Sequence, residues 1–186
     1  MRKKNNFTKR TLREHLDQID QNSCANNNNF KSLKRRLKQY FINAGYPNAA
    51  NVPSLIEQYM HMIFETQDYR CTHWLQTNAD ELNGVWNRPG YNYNCWRTDQ
   101  IYFEIDHVIP RNSGGLDRLD NLQFLSANAN QFTKCSLRYD DLLKRVDLSD
   151  KLKDRIKEVL KNRQEMFRTT KWEKFIEKLE TIEGRR

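Results

Sequence analysis

The residues of this chain best suited to joint chemistry lie in Glu104-Ile105-Asp106-His107-Val108-Ile109-Pro110, then Asn121-Leu122-Gln123, then Asn130 and Lys134. A carboxylate and an imidazole sit side by side, and two amides follow beyond a Gly114-Gly115 turn. Water attack on a phosphodiester makes three demands. The nucleophile must lose a proton, the pentacovalent phosphate must shed negative charge, and the leaving oxygen must be stabilised. Imidazole has the unperturbed pKa nearest neutrality, so His107 is the natural base. A magnesium-like cation meets the other two demands. It prefers oxygen ligands and keeps several waters, so one carboxylate and one amide oxygen suffice, and Asp106 and Asn130 offer them. The imidazole also needs a partner that holds it in one tautomer. The segment at Asn121 can supply this from a backbone carbonyl, with the Asn121 side chain fixing the loop.

These side chains must be positioned by a small set of elements. Adjacent strand residues point to opposite faces, so Asp106 and His107 can serve one phosphate only where a strand ends and bends. Pro110 and the glycine pair provide for that bend. Tyr102 to Glu104 alternate into a short first strand, and Leu122-Gln123-Phe124-Leu125 form a second. A helix beginning near Asn128 carries Asn130 and Lys134 on one face, four residues apart. The motif therefore reads strand, loop, strand, helix.

In that order, residues 104–134 resemble the HNH endonuclease motif, also called ββα-metal. The family pattern is an acid-His pair, Ile/Val-x-Pro, a Gly-Gly loop, Asn-Leu, and a helix bearing Asn or His with a Lys beyond. The resemblance covers about one-sixth of the chain. It implies His107 as general base and Asp106 and Asn130 as ligands of one catalytic Mg2+ or Mn2+. It also implies that Asn121 braces the His, and that products carry 5′-phosphate and 3′-hydroxyl ends. Lys134 sits one residue later than the commonest family spacing. Arg111 occupies a position where basic residues often approach phosphate. Many members also carry two Cys-x-x-Cys knuckles around a structural zinc. Here Cys71-Thr72-His73-Trp74 stands in place of the first, and Ser126 and Ala129 in place of the second. That zinc is not expected; Cys71, His73, Cys95 and Cys135 remain an irregular alternative.

Around the motif the chain reads as mostly helical. Leu12, Leu16 and Ile19 recur at helical spacing, and Asn26-Asn27-Asn28-Asn29 is a polar break. Phe30, Leu33, Leu37 and Phe41 stripe a second helix ended by Gly45-Tyr46-Pro47. Leu55, Tyr59, Met62 and Ile63 stripe a third that runs to about Gln67, opened by a Ser54/Glu57 capping box. Tyr59, His61 and Met62 are read as packing or surface. Residues 71–100 are rich in aromatic, Asn and Gly residues with poor periodicity, which fits an irregular insertion. Leu152, Ile156, Val159 and Leu160 share a helical face, as do Trp172, Phe175, Ile176 and Leu179 after a Thr170/Glu173 capping box. The fold class is α+β: a mostly helical chain around a small ββα-metal core, with an irregular insertion before the first motif strand. Three parts follow: a basic helical arm at 1–50, a core at 51–140 that includes the insertion, and C-terminal helices at 141–186.

The charge is uneven. Residues 1–40 carry 11 Lys+Arg and 3 Asp+Glu, a net of +8, whereas residues 41–186 carry 21 of each. This asymmetry fits a polyanion-binding arm on a neutral body, with Lys34, Arg35, Arg36 and Lys38 facing phosphates. No apolar run approaches the roughly 18 residues of a membrane span, and four dispersed cysteines do not make a disulfide framework. A cytoplasmic protein whose partner is double-stranded DNA is expected. The leading reading is a metal-dependent DNA endonuclease, similar to nicking or homing enzymes of phages and mobile elements. A restriction enzyme or a toxin nuclease shares the chemistry, and a DNA-binding regulator that keeps only the scaffold is the alternative from another class. One such motif cuts one strand at a time, so double-strand cleavage needs two nicks or a homodimer, for which the C-terminal helices are candidate surfaces.

Overall fold

The computed structural model describes residues 29–67, 71–73, 103–126 and 129–185. The amphipathic segment expected at 12–19, nearly all of the insertion at 71–100, and Cys24 and Cys95 lie outside the described residues.

Helix α1 (Asn29–Asn43) buries Leu33, Leu37 and Phe41, as the spacing requires. It ends in a Schellman arrangement. Gly45 takes φ +92°, the Tyr46 N–H donates to Phe41 O at 2.8 Å, and the Gly45 N–H donates to Ile42 O at 3.0 Å. Helix α2 (Pro53–Thr66) starts on Pro53 with Val52 as N-cap, and no side chain caps it. The expected Ser54/Glu57 capping box is therefore not formed. Proline already occupies the first turn, where a missing N–H costs nothing, and Glu57 instead pairs with Lys34 of α1 at 2.5 Å.

Two antiparallel strands follow, β1 (Phe103–His107) and β2 (Leu122–Ser126), with Asp106 opposite Gln123 and His107 opposite Leu122. A two-stranded sheet is marginal alone; this one leans on α2. Phe64 stacks on Phe124 with ring centroids 4.3 Å apart and meets Phe103 edge-on at 5.0 Å. The Gln67 side chain pairs with the Phe124 backbone as a further strand would. Its Nε2 donates to Phe124 O at 2.7 Å, and its Oε1 accepts from Phe124 N at 3.1 Å.

The helix expected to begin near Asn128 is present as a π-helical turn over Ala129–Lys134, closed by the Cys135 N–H donating to Asn130 O at 2.9 Å. The short α3 (Tyr139–Leu142), α4 (Asp150–Met166) and α5 (Thr170–Ile182) complete the described chain. Ser149 caps α4. Thr169, not Thr170, caps α5, because its hydroxyl is the one three residues before the Trp172 N–H. Trp172, Phe175 and Leu179 join the core formed by α1, α2 and both strands. A smaller cluster holds Tyr139, Leu142, Leu148, Leu152 and Ile156. Among the described residues the architecture is α+β, mostly helical around one small antiparallel sheet. Among the described residues no helix is long and apolar enough to cross a membrane.

Candidate active site

β1 runs through Asp106 and ends at His107, and the chain bends at Val108 and Ile109 just beyond it. Along β1, Phe103, Ile105 and His107 are buried and the side chains between them are half-buried. Strand alternation puts Glu104 and Asp106 on one face.

The loop after β1 is tied to β2 by Asn121. Its Oδ1 accepts from the Ile109 N–H at 2.9 Å, and its Nδ2 donates to Ile109 O at 3.1 Å and Leu116 O at 3.0 Å. Its backbone carbonyl accepts from Val108 N–H at 2.8 Å. Gly115 lets the loop close. A Cβ there would lie 1.7 Å from Ile109 O, so no other residue fits without moving the backbone.

That closed loop delivers Asp117 to His107. The His107 Nε2 lies 2.7 Å from Asp117 Oδ1. A carboxylate only accepts, so Nε2 carries a proton. The ring partner is thus a side chain ten residues on, not the expected backbone carbonyl near Asn121. Asp117 is itself gripped. Arg111 donates to Oδ1 from Nε at 3.0 Å and from Nη2 at 2.8 Å, and Asn43 of α1 donates to Oδ2 at 2.6 Å. Burial pushes the Asp117 carboxyl up, but the hydrogen bonds from Asn43, Arg111 and His107 together bring it below its ordinary value. Tyr40, one turn before Asn43, sets its ring edge-on to His107 at 5.6 Å, with the Arg111 guanidinium 5.9 Å from the Tyr40 centroid. The charges of Arg111, Asp117, Arg36 and Asp106 all act on the Tyr40 hydroxyl, whose pKa burial raises.

On the other face, Asp106 Oδ2 accepts from Gln123 Nε2 at 2.8 Å and lies 3.7 Å from Lys134 Nζ. Lys134 is wholly buried, and its ammonium donates to His107 O at 3.2 Å. Burial lowers the Lys134 pKa against the pull of Asp106. Burial likewise raises that of Asp106, against Lys134, Gln123 and the His107 N–H. Asn130 reaches the same face, its Nδ2 donating to Glu104 Oε2 at 2.7 Å.

The oxygen groups on this face are of the type a hard divalent cation takes. Two carboxylates and the Asn130 amide stand with the buried Lys134 ammonium, so this face carries more negative than positive charge. An all-oxygen set of this size suits an ion that keeps part of its water shell. No group of three or more His, Cys, Asp or Glu side chains able to hold a metal occurs among the described residues. Of the cysteine and histidine alternatives, Cys71 and His73 are buried and Cys135 is exposed.

Among the residues singled out by sequence, the structure gathers Asp106, His107, Arg111, Asn121, Asn130 and Lys134 around the strand ends. Lys134, expected at phosphate, is buried beneath Asp106 instead, because its partners are two acceptors on β1. Of the basic positions on α1, Arg35, Arg36 and Lys38 are exposed, while Lys34 is paired with Glu57. Sequence reasoning missed Asp117, Tyr40, Asn43 and the placement of Glu104. For Glu104 the signal was present in strand alternation. For Tyr40 and Asn43 there was none.

Residues 93–131 match the family model described as HNH endonuclease. No curated protein and no solved structure matches the chain.

Proposed function

We propose that this protein is a metal-dependent DNA endonuclease that hydrolyses phosphodiester bonds to 5′-phosphate and 3′-hydroxyl ends, of the nicking or homing type found in phages and mobile elements. The observation that carries this reading is the arrangement at the end of β1. An imidazole whose Nε2 is committed to Asp117 adjoins a face of oxygen donors from Glu104, Asp106 and Asn130. In this reading His107 Nδ1 takes the proton of the attacking water. Asp117 holds the ring and stabilises the imidazolium that forms. Asp106 and Asn130 hold a divalent cation, with Glu104 at hand, and when bound that ion lowers the charge on the phosphate and the leaving oxygen. Arg111 is 60% exposed at its side chain and lies close enough to the base to meet a phosphate. Arg36 stands one turn before Tyr40 on α1 and its charge acts on the Tyr40 hydroxyl, so it borders the site, while Arg35 and Lys38 face away from Tyr40 round the same helix. Double-stranded DNA is the substrate, and a second copy of the chain or a second nick completes any double-strand break.

A supercoiled-plasmid assay with Mg2+ and with EDTA tests the proposal. Cutting should vanish with EDTA and in His107→Ala with DNA binding retained, and should fall sharply in Asp106→Ala and Asn130→Ala. Full activity in either ligand variant refutes the ligand assignment. DNA binding without cleavage across several metals favours a scaffold-only regulator. Sequencing the cut ends checks the product chemistry.

A further inference from the structure

Behind Asp106 runs a buried line of polar side chains that the proposed chemistry does not use. Gln123 stands opposite Asp106 in register and is wholly buried. Its Nε2 donates to Asp106 Oδ2 at 2.8 Å. Its Oε1 accepts from Tyr139 Oη at 2.9 Å and from Thr72 Oγ1 at 3.3 Å. The Tyr139 hydroxyl lies 3.2 Å from His73 Nε2, and both side chains are buried.

The donor pattern fixes every member. Asp106 can only accept, so Gln123 must present its NH2 to it. The amide oxygen then faces two hydroxyls, which both donate. Having donated, Tyr139 accepts from His73, which is held as the Nε2–H tautomer. Turning the amide over would set an oxygen against a carboxylate and its NH2 against the two hydroxyls. An amide does not pass protons along such a line, so the line orients rather than shuttles. Gln123 and Lys134 both take Oδ2, from β2 and from the π turn, which fixes the plane of the carboxylate. His73 keeps its neutral form because burial lowers its pKa to about 3.

Resting on the reading of Asp106 as a metal ligand, we infer that Gln123 is the positioning residue for that ligand, itself locked in one orientation by Tyr139, Thr72 and His73. Outer partners of a metal-binding carboxylate set its orientation and hence the affinity of the site.

Mn2+ binding to the full chain without DNA, measured by titration calorimetry, tests this separately from cleavage. Gln123→Leu should weaken Mn2+ binding by about 10- to 100-fold, and Tyr139→Phe by about 10-fold, the lower end of that range. Thermal melting of each variant is read alongside, because loss of packing alone lowers the melting temperature without changing the affinity of the folded protein. If Gln123→Leu does not fold, Tyr139→Phe decides, since it removes one hydroxyl and keeps the ring. Unchanged Mn2+ affinity in the folded variants, with binding abolished by Asp106→Asn, overturns the positioning role and leaves the ligand assignment standing. Unchanged affinity in Asp106→Asn overturns both.

Discussion

Replacing Asp117 by alanine takes away the hydrogen-bond partner of the His107 Nε2, together with the acceptor of Arg111 and Asn43. The His107 and Asp117 side chains are 10% and 17% exposed, and their contact is 2.7 Å. When the ring takes a proton, that contact becomes an ion pair. Two unit charges about 4 Å apart at an effective dielectric of about 20 attract by about 4 kcal/mol, an upper bound here because Arg111 already offsets the Asp117 charge. A charge-assisted hydrogen bond has a net worth of about 1.5–3 kcal/mol, so the single-turnover rate should fall about 10- to 100-fold. The Arg111 side chain is 60% exposed, so losing its pair should cost at most about 1 kcal/mol of stability. The assay is single-turnover nicking of supercoiled plasmid at saturating Mg2+, with chemical denaturation run in parallel. His107→Ala should cost about 100- to 10,000-fold, and adding Asp117→Ala to it should cost nothing more, because the carboxylate acts only through the ring. Additive losses in the double variant, or a wild-type rate in Asp117→Ala, would refute the reasoning.

Lys134→Met should destabilise the fold by about 3 kcal/mol, since it leaves the Asp106 carboxylate without its buried cation; an unchanged urea midpoint contradicts this. His73 makes the fold acid-sensitive. Its folded pKa is about 3, whereas the unfolded value is about 6.5, so between these values the unfolded chain binds one proton more and stability falls as pH drops. The expected slope is about 1.4 kcal/mol per pH unit through that window. It should vanish in His73→Asn, and a slope that persists there assigns the proton uptake elsewhere. Replacing Arg35, Arg36 and Lys38 together by alanine should lower the magnitude of the log-log salt slope of DNA binding by about 2–3. Replacing Lys34, which is paired with Glu57, should change it little, and equal effects for all four positions would contradict the role given to that ion pair.

The parts of the site that lie within one local unit were legible in the sequence. Alternation and turn residues marked both strands, although β1 runs on to His107, three residues past the expected Glu104, and the order of acid, imidazole and amides gave the loop that Asn121 ties down. What escaped depends on contacts between distant segments. Asn43 donates to Asp117 across 74 positions, and nothing in the periodicity of α1 marks Tyr40 or Asn43 as anything but the border of an apolar stripe. Charge misled at Lys134: a lysine on a short helix reads as surface unless its acceptors are known, and those lie on the back of β1. Capping was misread by one residue at Thr170 because two threonines stand together and only the backbone decides which precedes the first turn. The helix near Asn128 was foreseen, but its π winding was not.

Asn43 and Tyr40 also decide what counts as the smallest working piece of this protein. The stretch that matches the HNH model carries Asp106, His107, Asn130 and the Arg111 pair of Asp117, yet the Asn43 hydrogen bond to Asp117 and the ring against His107 come from a helix that ends fifty residues before that stretch begins. The same helix supplies Leu33, Leu37 and Phe41 to the common core. A fragment trimmed to the motif would lose the Asn43 hydrogen bond to Asp117, the Tyr40 ring beside His107 and part of its interior in one cut. The module is therefore not a portable cassette, and grafting it elsewhere means carrying α1 along.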